Sequence, residues 1–590
     1  MNIPVLRVAG ALILCFASAV FAADAPRRPV TVEDLLALAR VGDVQISADG
    51  AWVAYSVTTL SVAGNSADTH LWMASTQRDD VRQLTSTGKD RSARFSPDGK
   101  RLAFLSRRDG RSQVYVMPLD GGEATVVSSM ASDVDTLRWS PDGKHLVLTA
   151  IVWPDCLDDA CNKSRDEARA KESTARVYGN WPYWSAMAWL DGKRSHVFAL
   201  PANGSGPARD LTPRWPNNVP FSLAIDGSTD PADVSVSPDG KEVAFVSASA
   251  MDSTGQTVGQ IWLVPLAGGE PRRLTDRAGA EKAPVYSPDG RHIAFRWVQD
   301  QRNTGSQAKL LIIERATGKI TDLTGSIDRG TGTVAWTSDG KSLLYLAENG
   351  VEQPVYSIAA RAGAADQVVI RGHNAELAVA TRSPVMALSR SSFSQPAEIF
   401  VMARPGAAPR QITRHNAAML ASLDLPAPET FQFKSKDGTS VQALLLKPPG
   451  LRTEAKVPLL VLMHGGPHTT WTDSWNWRWN SQVFSAPGRA ILIVNRRGST
   501  AYGQKFSDEV IDSWGGKPYE DIMSGLDAAL AKYPSSMVHA SRRPAPRMAD
   551  TWRTGWPRTR TASRPSSRMQ VSGIWSPCMP PTFPGFSLSR

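Results

Sequence analysis

Two histidines, two glycines and a proline stand in a row at His464-Gly465-Gly466-Pro467-His468, directly after the apolar run VPLLVLM. A Gly-Gly loop at the end of a buried strand can offer backbone N–H groups to an oxygen that gains charge during acyl transfer. Gly465 and Gly466 are therefore the candidate oxyanion-loop residues, while Pro467 has no N–H and can only shape the loop. His464 and His468 carry the side chain of a general base, but a base acts only on a nucleophile within reach. The sequence G-x-S-x-G occurs nowhere in the 590 residues. Ser499, in Arg497-Gly498-Ser499-Thr500, follows a different apolar strand. Both histidines are read as loop-structuring or substrate-side residues, and no position is assigned as catalytic. The nine histidines do not cluster with acids at metal-ligand spacing, so neither a metal nor a cofactor is expected.

The elements around this loop read as the start of an α/β sheet. FQFKSKDGTSVQALLLKPPG, from Phe431, has the pattern of a hairpin turning at Asp437-Gly438. The apolar runs Val461–Met463 and Ile491–Val494 read as buried strands, and each leads into a glycine-containing loop. Ile522, Leu526, Ala529 and Leu530 fall near helical spacing within Tyr519–Tyr533, with Asp521 near the positive end of that helix. Strands of this kind followed by a helix point to an α/β sheet.

The larger, preceding part repeats itself. The phrase S-x-D-G followed by an alternating strand recurs around Asp49, Asp98, Asp142, Asp239, Asp289 and Asp339, at intervals of 49, 44, 97, 50 and 50 residues. Asp-Gly suits a tight turn because glycine adopts positive φ freely. A second apolar strand follows each turn, at Leu71, Val114, Val197, Ile261, Leu310 and Val355, with one more at Ile399. A period near 50 with several strands per unit predicts propeller blades. The aspartates are read as turn formers. The long interval belongs to a third blade interrupted by WPDCLDDACNKS and by an irregular aromatic stretch. There Trp181, Tyr183 and Trp184 are substrate-side candidates, or simply cover a loop. Cys156 and Cys161, five apart, are a disulfide candidate; free thiols and a metal site are the alternatives, the last disfavoured because no further Cys or His stands close by.

The ends differ from the body. Met1 to Ala22 has a basic start at Arg7, an apolar stretch and a small-residue cleavage site, which predicts a secretory signal rather than a membrane span. Export to the periplasm or outside the cell follows, with no membrane span once the signal is removed. The net charge of +10 is concentrated in one segment: residues 535–590 hold nine arginines, no lysine, no glutamate and a single acid, Asp550. Nucleic-acid binding is therefore not expected, since a basic face would be woven through a folded domain. The tail shows no sustained periodicity and is expected to lack order.

His464–His468, Asn495-x-Arg-Gly-Ser-Thr-x-Tyr-Gly503 and Trp514-Gly-Gly-x-x-Tyr-Glu-Asp521 together resemble the prolyl oligopeptidase family, in its acylaminoacyl-peptidase and dipeptidyl-peptidase-5-like branch. Ala175-Arg-Val-Tyr178 and the segment from Asp191 to Phe198 are similar to that branch as well. One departure is Arg496, where proline or tyrosine is usual. The resemblance implies an N-terminal seven-bladed β-propeller followed by an α/β-hydrolase domain, here incomplete, and a serine peptidase acting on short peptides at their N-terminus. The family's serine elbow is due just after Tyr533, where the composition changes, a change read as a shift of reading frame. The expected organisation is a signal at 1–22, propeller at 23–420, partial hydrolase domain at 421–534 and aberrant tail at 535–590. The chain is predicted inactive. The alternative is a propeller that binds peptides or partners without enzymatic activity.

Overall fold

The structure is a computed structural model that describes residues 26–172, 183–185, 188–189, 192–217, 219, 233–248, 259–300, 303–451, 455–533 and 570–573. The repeated aspartates are turn formers. In each S/T-x-D-G turn the Ser or Thr hydroxyl donates to the aspartate carboxylate at 2.5 to 2.7 Å. The following glycine sits at φ between +68° and +78°, where a side chain would be strained. The Ser47 hydroxyl and the Ala51 N–H hold the Asp49 carboxyl below its usual range.

These turns join the first and second strands of four-stranded antiparallel units. Five separate sheets of this kind form, the first from Arg40–Ile46, Trp52–Ser61, Ser66–Ser75 and Val81–Gln83. Two more units are joined into one eight-stranded sheet by a single parallel bridge, Gly259 to Ala280. The last unit, His373–Val379 to Arg410–Gln411, has no Asp-Gly. It turns at 380–385 instead, where Ala380 N–H donates to Val385 O at 3.0 Å.

The units pack face to face in chain order. Ala54 and Leu71 of the first meet Phe104 and Tyr115 of the second. Ile399 and Val401 of the last meet Val53 and Tyr55 of the first, so the ring returns on itself. Glu376 of the last unit also accepts from the Asp43 N–H of the first at 2.8 Å. No unit could bury both faces alone, which is why such repeats stack.

A second device ties the outermost strand to each unit. The N–H of a third-strand residue donates to a Ser or Thr hydroxyl 14 or 15 residues further on. The acceptors are Thr85, Ser128, Thr212, Thr275, Thr324 and Thr413, at 2.8 to 3.1 Å. Glu281 joins one of these, accepting from Thr275 Oγ1 and from Ile261 N–H at 3.3 Å. It is fully buried, and burial pushes its carboxyl up to about 7. A folded value above the unfolded 4.5 means stability that is present at low pH and lost as pH rises through about 7. Half-buried histidines such as His373 titrate in the opposite sense, so the clean measurement is a difference. Glu281→Gln is expected to gain on the order of 2 kcal/mol relative to the parent between pH 5 and pH 8. Thermal melts of both proteins at the two pH values check this, and an unchanged difference would refute it.

Beyond the ring, Glu429–Lys434 and Ser440–Leu446 form the expected hairpin, and the sheet continues through Ala490–Asn495 to Leu459–Met463, those two strands parallel. Helix Lys517–Lys532 covers one face, its Ile522, Leu526 and Ala529 packing on Val461, Leu492 and Val494. Gly525 lets the helix approach closely: a Cβ there would lie 2.8 Å from Val494 and 2.9 Å from Phe433.

One expectation needs correction. Asp521 does not serve the helix dipole; its side chain is fully buried and paired with Arg497 at 2.8 Å. Gln570–Gly573 adds a fifth strand, parallel to Leu459–Met463 and in register from Leu460 with Gln570 to Met463 with Gly573. The outer edge of Leu459–Met463 is thereby paired.

The hydrolase sheet is also bound to the chain's start. Thr31 closes a capping box with Asp34 on helix Val32–Ala37. Leu35, with Leu38 just beyond the helix, then packs on Trp475.

Candidate functional site

The five residues Leu459–Met463 are all buried, and the chain leaves this strand directly into His464–His468. Gly466 adopts φ +124°, open to glycine and strained for other residues. Among the described residues no hydrogen bond donated by the N–H groups of Gly465 and Gly466 is seen. The loop is held from behind by Arg496, which is fully buried. Its Nη2 donates to the carbonyls of His464 at 3.2 Å and Pro467 at 3.4 Å, and its Nη1 to Arg497 O at 2.8 Å. One guanidinium thus ties both shoulders of the Gly-Gly turn, a task that the planar fork of arginine suits. Burial pushes Arg496 down to about 10.

His464 is buried, and burial together with the Arg496 charge holds its imidazole well below its usual value. Its Nε2 lies 3.0 Å from Ser499 Oγ, a spacing that a nucleophile and base would share. Yet Ser499 is fully buried and donates to Arg496 O at 2.7 Å. It braces the loop and cannot meet a bound peptide. His468 instead faces the ring: its Nδ1 is 2.8 Å from Thr304 Oγ1. Burial lowers its imidazole as well. His464 thus contacts Ser499 within the floor, and His468 contacts the ring.

The rest of the Asn495–Gly503 motif supports this floor. Asn495 exchanges two hydrogen bonds with the backbone of Trp471, both 2.9 Å, and donates to Tyr502 OH at 2.8 Å. Arg497 is fully buried and reaches Asp521, Asp437 and Glu509. Neither Arg496 nor Asn495 received a role from the sequence. The departure at Arg496 was the available signal.

The other candidates lie elsewhere. Cys156 and Cys161 form a disulfide, with Cα atoms 5.4 Å apart. Trp181 falls outside the described residues. Tyr183 and Trp184 belong to strand Tyr183–Ser185, paired with Ala188–Trp189, and their side chains lie outside the described part. The described residues contain no group of three or more His, Cys, Asp or Glu placed to hold a metal, and no helix long and apolar enough to cross a membrane. Chemically, the site offers N–H donors to a polarised carbonyl, set on a rigid, buried floor.

A propeller joined to an α/β-hydrolase sheet, with the Gly465-Gly466 loop beside segment 303–307 of the propeller, defines the class: a propeller-bearing hydrolase fold. The TolB beta propeller domain family matches residues 45–152, and the prolyl oligopeptidase family matches residues 475–540. The chain is 26% identical to dipeptidyl-peptidase 5 of Porphyromonas gingivalis over 507 residues, covering 84% of this chain and 72% of that one. It is 25% identical to the uncharacterized peptidase YuxL of Bacillus subtilis over 529 residues, covering 86% and 77%. In fold it is similar to Pyrococcus horikoshii acylaminoacyl peptidase, with a TM-score of 0.68 at 17% identity, covering 87% of this chain and 75% of that one. Puromycin hydrolase is similar at TM-score 0.60 and 15% identity, over 87% and 76%. The chain is thus similar to the prolyl oligopeptidase family of serine peptidases, with dipeptidyl-peptidase 5 among its relatives in sequence and acylaminoacyl peptidase among its relatives in fold.

Proposed function

We propose that this chain is a dipeptidyl-peptidase-type member that keeps the peptide-facing loop of the family and lacks turnover. In a complete member the loop would polarise the scissile carbonyl near the N-terminus of a short peptide while an activated serine attacks it. The observation that carries the reading is the absence of G-x-S-x-G from the whole sequence. It is supported by Ser499, the serine beside His464, being sealed in the floor. Acyl transfer needs a hydroxyl, a base and an orienting group in addition to oxyanion donors. Donors alone supply only part of the rate.

The ring is taken as seven blades, the eight-stranded sheet counting as two, with the hydrolase part incomplete. The organisation is taken as 23–420 for the propeller, 421–534 for the partial hydrolase domain and 535–590 for the tail. Export to the periplasm or beyond is part of the reading, and the Cys156–Cys161 disulfide favours an oxidising compartment. The purified chain is expected to release no product from a dipeptidyl amide and to remain unlabelled by a fluorophosphonate. Turnover that survives removal of contaminating peptidases, or a labelled serine, would overturn the proposal.

A further inference from the structure

The loop that presents Gly465 and Gly466 ends on His468, and that histidine is gripped from the propeller. Segment 303–307, which leads into strand Lys309–Glu314, crosses to the hydrolase domain. Thr304 Oγ1 meets His468 Nδ1 at 2.8 Å. On one side, Asn303 Nδ2 donates to Asp508 Oδ1 at 2.7 Å. On the other, Gln307 N–H donates to Gln504 Oε1 at 2.9 Å, and Gln504 Nε2 returns a bond to Gly305 O at 3.2 Å. Ser507 Oγ donates to the same carbonyl at 3.3 Å.

Between these bonds there is no spare room. A Cβ on Gly305 would lie 2.4 Å from His468 Cδ2 and 2.4 Å from Ser507 Oγ. Ser507 is buried and cannot easily yield. Next door, Asp328 Oδ1 accepts from Gln504 N–H at 2.7 Å and from Gln307 Nε2 at 2.9 Å, which stiffens both partners. Gly350 N–H donates to Ala501 O at 3.1 Å, and Thr500 donates to Glu348, so the neighbouring unit grips the same hydrolase segment.

We propose that Thr304 and Gly305 are positioning residues for the Gly465-Gly466 loop: the propeller sets that loop by holding His468 from outside. Arg496 clamps the loop from within its own domain, through the His464 and Pro467 carbonyls, but it makes no bond to the His468 ring. The Nδ1 of that ring is met from the propeller side, by Thr304. Segment 303–307 therefore adds to the register of the loop's N–H groups that Arg496 sets from within. The inference rests on reading the loop as peptide-facing, yet its test needs neither peptide nor turnover.

Thr304→Val keeps the shape and removes the hydroxyl. In the full chain it is expected to move the amide resonances of Gly465, Gly466 and His468 away from their parent positions, because the loop loses its hydrogen bond to the propeller. It should also shift the His468 ring resonances while leaving the melting temperature in place. Thr304→Ser should restore both. Gly305→Ala presses on the His468 ring directly and should disturb the same amides. Parent-like amide and ring signals in Thr304→Val, or in Gly305→Ala, would overturn the inference. So would failure of Thr304→Ser to restore them. A peptide-binding or activity result of either sign bears on the proposed function and leaves this test standing.

Discussion

Arg497→Ala is expected to remove about 3–5 kcal/mol from the hydrolase domain, the usual range when one partner of a buried ion pair is deleted. The reason is geometric. Arg497 Nη2 and Nε both reach the Asp521 carboxylate, at 2.8 and 3.1 Å, and the Arg497 N–H adds a third bond at 2.7 Å. Neither side chain touches solvent. The other guanidinium nitrogen, Nη1, bonds Asp437 and lies 3.3 Å from Glu509. Four parts of the chain thus meet on one side chain: the turn of the first hairpin, the loop after Ala490–Asn495, the segment at Glu509 and helix Lys517–Lys532. Burial opposes the charge of Arg497, but Asp521 and Asp437 more than offset it and raise its pKa. Removing the guanidinium leaves Asp521 charged in a dry site, with Ser435 Oγ at 2.6 Å and the residue 497 N–H as its remaining partners. Lysine keeps the charge and loses the fork, so Arg497→Lys should recover only part of the loss. Urea melts followed by a hydrolase-domain probe would measure it. A loss under about 1 kcal/mol, the range of exposed pairs, would refute the hub.

Much of this architecture could be read from the residues, and the parts that could not have definite causes. The Asp-Gly turns were legible because turn and glycine are adjacent in sequence, and each strand's alternation follows at once. The last unit was harder to place because it turns at 380–385 without Asp-Gly. The outer-strand anchor was in plain view as Gln83-Leu-Thr85, Asp210-Leu-Thr212, Arg273-Leu-Thr275, Asp322-Leu-Thr324 and Gln411-Ile-Thr413. Its meaning needed the partner N–H, 14 or 15 residues earlier, which composition does not mark. Asp521 was misread for a related reason. A helix-start acid suits the dipole, and only the fold brings Arg497 to it from 24 residues away. Contacts such as Thr304 with His468, 164 residues apart, leave no trace in local pattern at all.

Deleting residues 534–590 is expected to open the Leu459–Met463 strand and cause the chain to self-associate. That strand is buried at all five positions and lies between Ala490–Asn495 and Gln570–Gly573. Without the latter, one row of its N–H and C=O groups and the apolar flank beside it face water. A parallel strand of continuous apolar residues is built to be covered on both sides, and an uncovered one is a template for pairing with another chain. Two measurements separate the consequences. Light scattering after size exclusion should show added mass relative to the full chain. Hydrogen exchange at 459–463 should lose about 100-fold or more of its protection, while strands within the propeller ring, such as Glu242–Ala248, keep theirs. The ring is predicted to survive because its cores close on themselves, Val53 and Tyr55 against Ile399 and Val401, without help from the tail. Unchanged mass together with unchanged protection at 459–463 would mean that Gln570–Gly573 contributes nothing to the sheet.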